Sequence, residues 1–170
     1  TSEKSNFNIL LEAFKHPSLK NTSLNVIGND KSYSYFYESH SDLVRKPKIN
    51  WYGTLTNEEE ISRVANKCQI FVYPGAVGLS LIHAMAYGLP CLVHSNRLQH
   101  MPEIAAFKRG ITGRTFRPND SRDLALKLSA MMSNPKSLNL MSENCLRTVE
   151  NDFNTSKMVQ RFVKFIKELE

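Results

Sequence analysis

Residues 69–94 read QIFVYPGAVGLSLIHAMAYGLPCLVH, and their periodicity changes twice. Gln69 to Tyr73 is an apolar run of strand length. Leu79 to Tyr87 has helical spacing and stops at Gly88 and Pro90, and Cys91 to His94 is apolar again. Strands apolar throughout, rather than alternating, are buried on both faces, and a strand, helix, strand order returns the chain parallel to itself. This stretch predicts a parallel sheet covered by helices on both sides.

The same alternation extends outward. Upstream, Thr56 followed by Glu59 has the spacing of a capping box and predicts a helix from Asn57 to Asn66. Before it come a strand at Ile49–Tyr52 ended by Gly53, a helix over Tyr33–Lys46 stopped by Pro47, and a strand at Ser23–Ile27. The first helix runs from Phe7 to Phe14, with Phe7, Leu10, Leu11 and Phe14 on one face and Pro17 closing it. Downstream, Met101–Lys108 reads as a short helix and Gly110–Phe116 as a turn entering a last strand. From Ser121 onward the pattern is helical, with breaks near Pro135 and Phe153. The expected fold is a doubly wound, Rossmann-like α/β domain with a helical C-terminal segment. In that segment Met158, Phe162, Phe165, Ile166 and Leu169 form a stripe suited to docking on this sheet or on an absent partner domain.

Composition agrees with one domain. The chain has 170 residues, 41% hydrophobic and 22% charged, a size that buries about 70% of the unfolded surface. No stretch reaches the roughly 20 consecutive apolar residues of a membrane span. The formal charge of +6 favours anionic partners. The basic residues are nonetheless scattered, with Arg45, Lys46 and Lys48 the tight cluster, and no aromatic-flanked basic stripe suits nucleic acid. Cys68, Cys91 and Cys145 lie far apart without zinc-site spacing, which points to a reducing, cytoplasmic compartment and no metal site. Thr1–Asn6 carries no signal-peptide pattern and begins abruptly, as if cut from a longer chain.

In doubly wound folds ligands bind at the carboxyl ends of the strands, and one loop there stands out. Tyr73-Pro74-Gly75-Ala76-Val77-Gly78-Leu79-Ser80 leads from strand directly into helix. Small residues let backbone approach a ligand, and the first amides of the helix point outward with the positive end of its dipole, which is a phosphate cradle. Ser80 can donate a hydroxyl or cap the helix, and the two glycines would also serve a plain turn. His83, on the helix face shared with Leu79, is either a satisfied core histidine or a donor to a sugar hydroxyl. After the next strand come His94, Asn96, Gln99, His100 and Glu103, polar groups where this fold puts substrates but too poorly supplied with carboxylate or cysteine for a metal.

The order of NFNILLEAFK (6–15), LNVIGN (24–29), NWYG (50–53), FVYPGAVGLSLIHAMAYGLP (71–90) and MPEIAAFKRGITGRTF (101–116) resembles the C-terminal half of a family 4 glycosyltransferase of the GT-B fold. The resemblance implies the domain that holds a UDP- or GDP-sugar donor, as substrate rather than cofactor. It also implies an N-terminal, acceptor-binding domain absent here and a first strand, bearing Gly-Arg-Leu, that would precede Thr1. On this resemblance Lys4 neutralises the diphosphate, Gly53 lies near the nucleoside, Gly78, Leu79 and Ser80 present amides to the diphosphate, and Gly75, Ala76 and Val77 meet the donor sugar. Two departures stand out. The paired glutamates of the family, eight positions apart, are replaced by Gly75 and His83, and its Gly-Gly before Pro-Glu by His100 and Met101 before Pro102 and Glu103.

The reading is therefore the donor-binding domain of a retaining glycosyltransferase, cytoplasmic and possible at the inner membrane face. It would serve a glycan or lipid-linked acceptor in cell-surface polysaccharide or lipopolysaccharide synthesis. No catalytic side chain is assigned; Lys4, an arginine preceding Thr1 and the helix amides would stabilise the departing diphosphate. The isolated domain is expected to transfer nothing. The alternative is a catalytically inactive GT-B-like interaction module. A nucleotide-sugar 2-epimerase lacks its carboxylate pair here, and a dehydrogenase lacks its Gly-x-Gly-x-x-Gly.

Overall fold

A computed structural model describes residues 5–28 and 49–168. The predicted helix Tyr33–Lys46, the basic cluster and Lys4 lie outside the described residues. The strands are β1 (Leu24–Val26), β2 (Ile49–Trp51), β3 (Phe71–Tyr73), β4 (Cys91–His94) and β5 (Gly113–Phe116). The helices are α1 (Phe7–Phe14), α2 (Glu58–Ala65), α3 (Ser80–Ala86), α4 (Ser121–Met132), α5 (Pro135–Asp152) and α6 (Thr155–Lys167). Every pairing is parallel: β1 with β2, and β3 with β4 with β5.

Local chemistry sets the helix boundaries. Asp120 caps α4 by accepting the amide of Asp123, Asn134 caps α5 ahead of Pro135, and Asn154 caps α6, each satisfying an amide that the first turn leaves open. Helix α2 is capped not by Thr56 but by Asn57, whose side chain accepts from Glu59 and Glu60. The capping-box spacing therefore marks the right turn but the wrong cap, because Asn57 stands one residue nearer the helix and its amide oxygen accepts from both Glu59 and Glu60. The short helix expected at Met101–Lys108 is a 3-10 turn over Pro102–Ala106.

Side-chain alternation divides the core into two layers. Leu92 of β4 and Phe116 of β5 face α1 and α4, joined by Phe7, Leu10, Leu11, Phe14, Leu124 and Leu128, with Val72 of β3 packed against them. Cys91 and Val93 face the other way, onto Val77, Leu81, Met85 and Cys145, with Phe71 and Tyr73 beside them. All four residues of β4 are buried. Gly113 is required where β5 enters the sheet: a Cβ there would lie 1.9 Å from the carbonyl oxygen of Cys91. The stripe on α6 is not docked on the sheet; Met158, Phe162, Phe165 and Ile166 are exposed and no described residue of α6 is buried.

Between β1 and β3 lies an apolar groove of about 430 Å³. Leu24, Asn25 and Ile27 line one wall and Ile70, Phe71 and Val72 the other, while Phe14 and Leu128 come from one helical layer and Ala65 and Ala84 from the opposite one. Tyr52 donates to Val26 and Gly28 donates to Gly53, so these residues turn their backbones to β2 and leave Asn25 and Ile27 facing the groove. Phe71 donates to Pro90, so Ile70 and Val72 likewise face away from β4. Among the described residues neither edge has a strand partner.

Candidate functional site

The bend after β3 has two unlike halves. Pro74, Gly75 and Val77 are buried, whereas Gly78 is half-buried and Leu79 and Ser80 are exposed. Val77 is held at both backbone groups: its amide donates to His100 Nδ1 at 3.2 Å and its carbonyl accepts from the Met101 amide at 3.0 Å. Beyond it, the amides of Gly78, Leu79 and Ser80 have no acceptor among the described residues, and the first bonds of α3 run from Leu81 to Gly78 and from His83 to Leu79. Leu79 enters α3 without a side-chain cap. Three consecutive open amides at a helix start are the donor set that anions use. Of the residues expected to meet a sugar, Val77 has no backbone group to spare, and Ala76 is the accessible neighbour.

One turn into α3, His83 Nε2 lies 2.9 Å from Glu58 Oε1, and Tyr87 donates its hydroxyl to the same oxygen. The two rings lie 5.2 Å apart. Hydrogen bonds from Tyr87 and then His83 hold the Glu58 carboxyl below the usual carboxylate range. Burial and the adjacent carboxylate push the Tyr87 hydroxyl up to about 12. Glu58 reaches the site because Asn57 starts α2 immediately after the loop that leaves β2 at Gly53. Gly53 has φ 68 and accepts from Gly28, the left-handed turn by which β2 releases the chain into the loop before α2.

The segment after β4 forms the other wall. His94 is buried, and His100 stacks on it with ring centroids 3.9 Å apart. Burial and then the neighbouring His100 hold the His94 imidazole down at about 4, so it is neutral near pH 7. A Cβ on Gly78 would meet Met101 Cγ at 3.3 Å and Glu103 Oε2 at 3.8 Å, which places both residues against the bend. Asn96 and Gln99 are exposed. Among the described residues no group of three His, Cys, Asp or Glu is arranged to hold a metal ion, and no helix is long and apolar enough to cross a membrane.

Gly78, Leu79, Ser80 and His83 are thus brought to one edge, with Gly75, Ala76 and Val77 on its inner side. Glu58, Tyr87 and the anchoring role of His100 are not visible in the sequence. The hint for Glu58 was its position at a helix start just after a strand, at the ligand-facing edge of the sheet.

Comparison with known proteins identifies the family and the fold. The profile of the family described as glycosyl transferases group 1 matches residues 1–147. The chain is 26% identical over 136 residues to the Escherichia coli UDP-Gal:alpha-D-GlcNAc-diphosphoundecaprenol alpha-1,3-galactosyltransferase, covering 78% of this chain and 32% of that protein. It superposes on Anabaena HepE, solved in complex with UDP and glucose, with a TM-score of 0.80 at 15% identity over 99% of this chain and 46% of that one. The C-terminal domain of LpcC, a glycosyl transferase group 1 family protein from Francisella tularensis, superposes with a TM-score of 0.75 at 19% identity over 91% of this chain and 83% of that one. The chain therefore spans about a third of the curated relative and just under half of HepE. With a parallel α/β sheet, an open-amide bend after β3 and a family match over most of its length, the chain belongs to the group 1 glycosyl transferases.

Proposed function

We propose that this chain is the donor-binding half of a retaining glycosyltransferase that takes a UDP-sugar, or a GDP-sugar, and passes the sugar to a glycan or lipid-linked acceptor. The observation that carries the reading is the row of open amides at Gly78, Leu79 and Ser80. A departing nucleoside diphosphate gathers negative charge as the glycosidic bond breaks, and fixed donors aimed at that charge stabilise the transition state more than the ground state. Lys4 would add a positive charge to the same leaving group. The uridine type is favoured by the UDP of the HepE complex and by the UDP-Gal in the name of the Escherichia coli relative.

Glu58 and His83 together take the place of the missing second glutamate. The carboxylate of Glu58, kept ionised by Tyr87 and His83, accepts from vicinal hydroxyls of a ribose, and the imidazole serves as donor or acceptor beside it. The diphosphoundecaprenol-linked acceptor in the name of the Escherichia coli relative supports a role in cell-surface polysaccharide or lipopolysaccharide synthesis, at the inner face of the membrane.

The absence of both signature glutamates, at Gly75 and His83, favours one second reading, an inactive interaction module. Calorimetry on the full-length protein with UDP, GDP and ADP tests the first reading. Binding of one uridine or guanosine diphosphate supports it, and no binding of any at millimolar concentration overturns it. Measurable sugar transfer by the full-length protein excludes the second.

The groove between β1 and β3 supports the further domain reading that a strand precedes Thr1. Helix α1 starts beside the end of β5, where Asn6 donates to Asn119. A chain arriving there from a strand laid in the groove would run parallel to both neighbours, and α1 would be its crossover to β1.

A further inference from the structure

The ring of His100 is used at both nitrogens. Nδ1 accepts the amide of Val77 at 3.2 Å, so it carries the lone pair; Nε2 sits 2.9 Å from the carbonyl oxygen of His94, so it carries the proton. The two bonds together admit one species, the neutral imidazole protonated on Nε2. The next residue completes the attachment, with the Met101 amide bonded to the Val77 carbonyl at 3.0 Å. Residues 100 and 101 therefore fasten the bend after β3 to the segment after β4 at a single residue, Val77, immediately before the open amides of Gly78, Leu79 and Ser80.

We propose that His100 is a positioning residue for this bend: its neutral ring fixes Val77 so that the three following amides converge on the diphosphate, and a proton on Nδ1 releases them. This rests on the donor-binding reading of the bend. The chemistry is local. A protonated Nδ1 would present a hydrogen to the Val77 N–H, replacing an acceptor with a second donor, and the bend would lose its side-chain anchor. The groups around the ring make that proton costly. His94 of β4 stacks on it, Arg97 of the preceding 3-10 turn adds a like charge, and the bend itself presents only the Val77 amide. Burial first, and Arg97 with it, holds His100 below the usual histidine range, against a raising effect from its bond to His94. The anchored bend is thus present at neutral pH and is lost as the pH falls through the lowered value of His100.

The experiment measures affinity of the full-length protein for UDP-glucose and GDP-mannose by calorimetry from pH 7.5 to 5, with folding followed by circular dichroism. These diphosphate diesters do not titrate in that range, so a fall in affinity reports the protein. His100→Ala is expected to weaken binding at pH 7.5 by about tenfold, the scale of one lost hydrogen bond. His100→Asn keeps an acceptor near the Nδ1 position and cannot titrate. It is expected to bind within about threefold of the native protein at pH 7.5 and to lose the acid-side fall that the native protein shows. Native-like binding by His100→Ala, or an undiminished acid-side fall in His100→Asn, overturns the positioning role while leaving the donor-binding reading intact. Failure of the native protein to bind either sugar nucleotide at pH 7.5 overturns both.

Discussion

The two sides of β3 differ completely. Toward β4 the strand is paired residue for residue, Phe71 with Cys91 through Tyr73 with Val93, and β4 is buried along its whole length. Toward β1 it borders an apolar groove in which Ile70, Val72, Asn25 and Ile27 turn their backbones to one another across open space. The closed side carries the bend of open amides, whose inner half is clamped by the segment after β4. The half of the sheet that carries the bend thus holds its shape through its own packing, while on the open side the edges of β1 and β3, lying between two helical layers, have no strand partner among the described residues, which is where the proposed preceding strand would pair.

The largest effect is expected on the closed side. Gly113→Ala would drive a Cβ to 1.9 Å from the Cys91 carbonyl oxygen, and backbone cannot yield as a side chain can. We expect a loss of about 4 kcal/mol or more, read by urea denaturation; a loss under about 1 kcal/mol would show that the strands are less tightly apposed than described. On the open side the expected effect concerns exchange. In the full-length protein the amides of Asn25, Ile27, Ile70 and Val72 should be protected from hydrogen exchange as well as those of Val26, Gly28 and Phe71, because a strand laid in the groove pairs them. Fast exchange at the groove-facing amides beside slow exchange at their neighbours would mean that the seat is empty. The smallest effect on stability is expected at the mouth of the groove. His83→Ala removes an exposed hydrogen bond to Glu58 and should leave the urea midpoint close to that of the native protein. It should nevertheless weaken nucleoside diphosphate binding more than pyrophosphate binding. Equal losses for the two ligands would take the ribose role away from His83.

The fold was legible where side chains alternate between two apolar faces. Cys91–His94, buried at every residue, and Phe7–Phe14, buried along one helical face, stand in the structure with the bounds that their spacing predicts, because each pattern of burial is written into the sequence. Boundaries shifted where one hydrogen bond decides, as at Asn57, which outcompetes Thr56 for the first amides of α2. The helix stripe at Met158–Ile166 gave its amphipathic character but not its cover, since periodicity says that a face seeks a partner without saying which. The open backbone of the glycine bend is legible because Gly and Ala leave it uncovered. Its division into an anchored Val77 and an open Gly78–Ser80 is not, for it depends on His100, 23 residues away. Glu58 escaped for the same reason, standing 25 residues from the His83 that it meets.

The central claim is that these open amides grip the diphosphate. Amide chemical shifts of the full-length protein, followed while UDP is added, test it most directly. The account predicts that Gly78, Leu79 and Ser80 move together and saturate at one affinity, while Val77, already bonded to His100, moves least along the bend. Saturable binding that leaves those three amides unmoved, with the shifts gathered elsewhere, would contradict it.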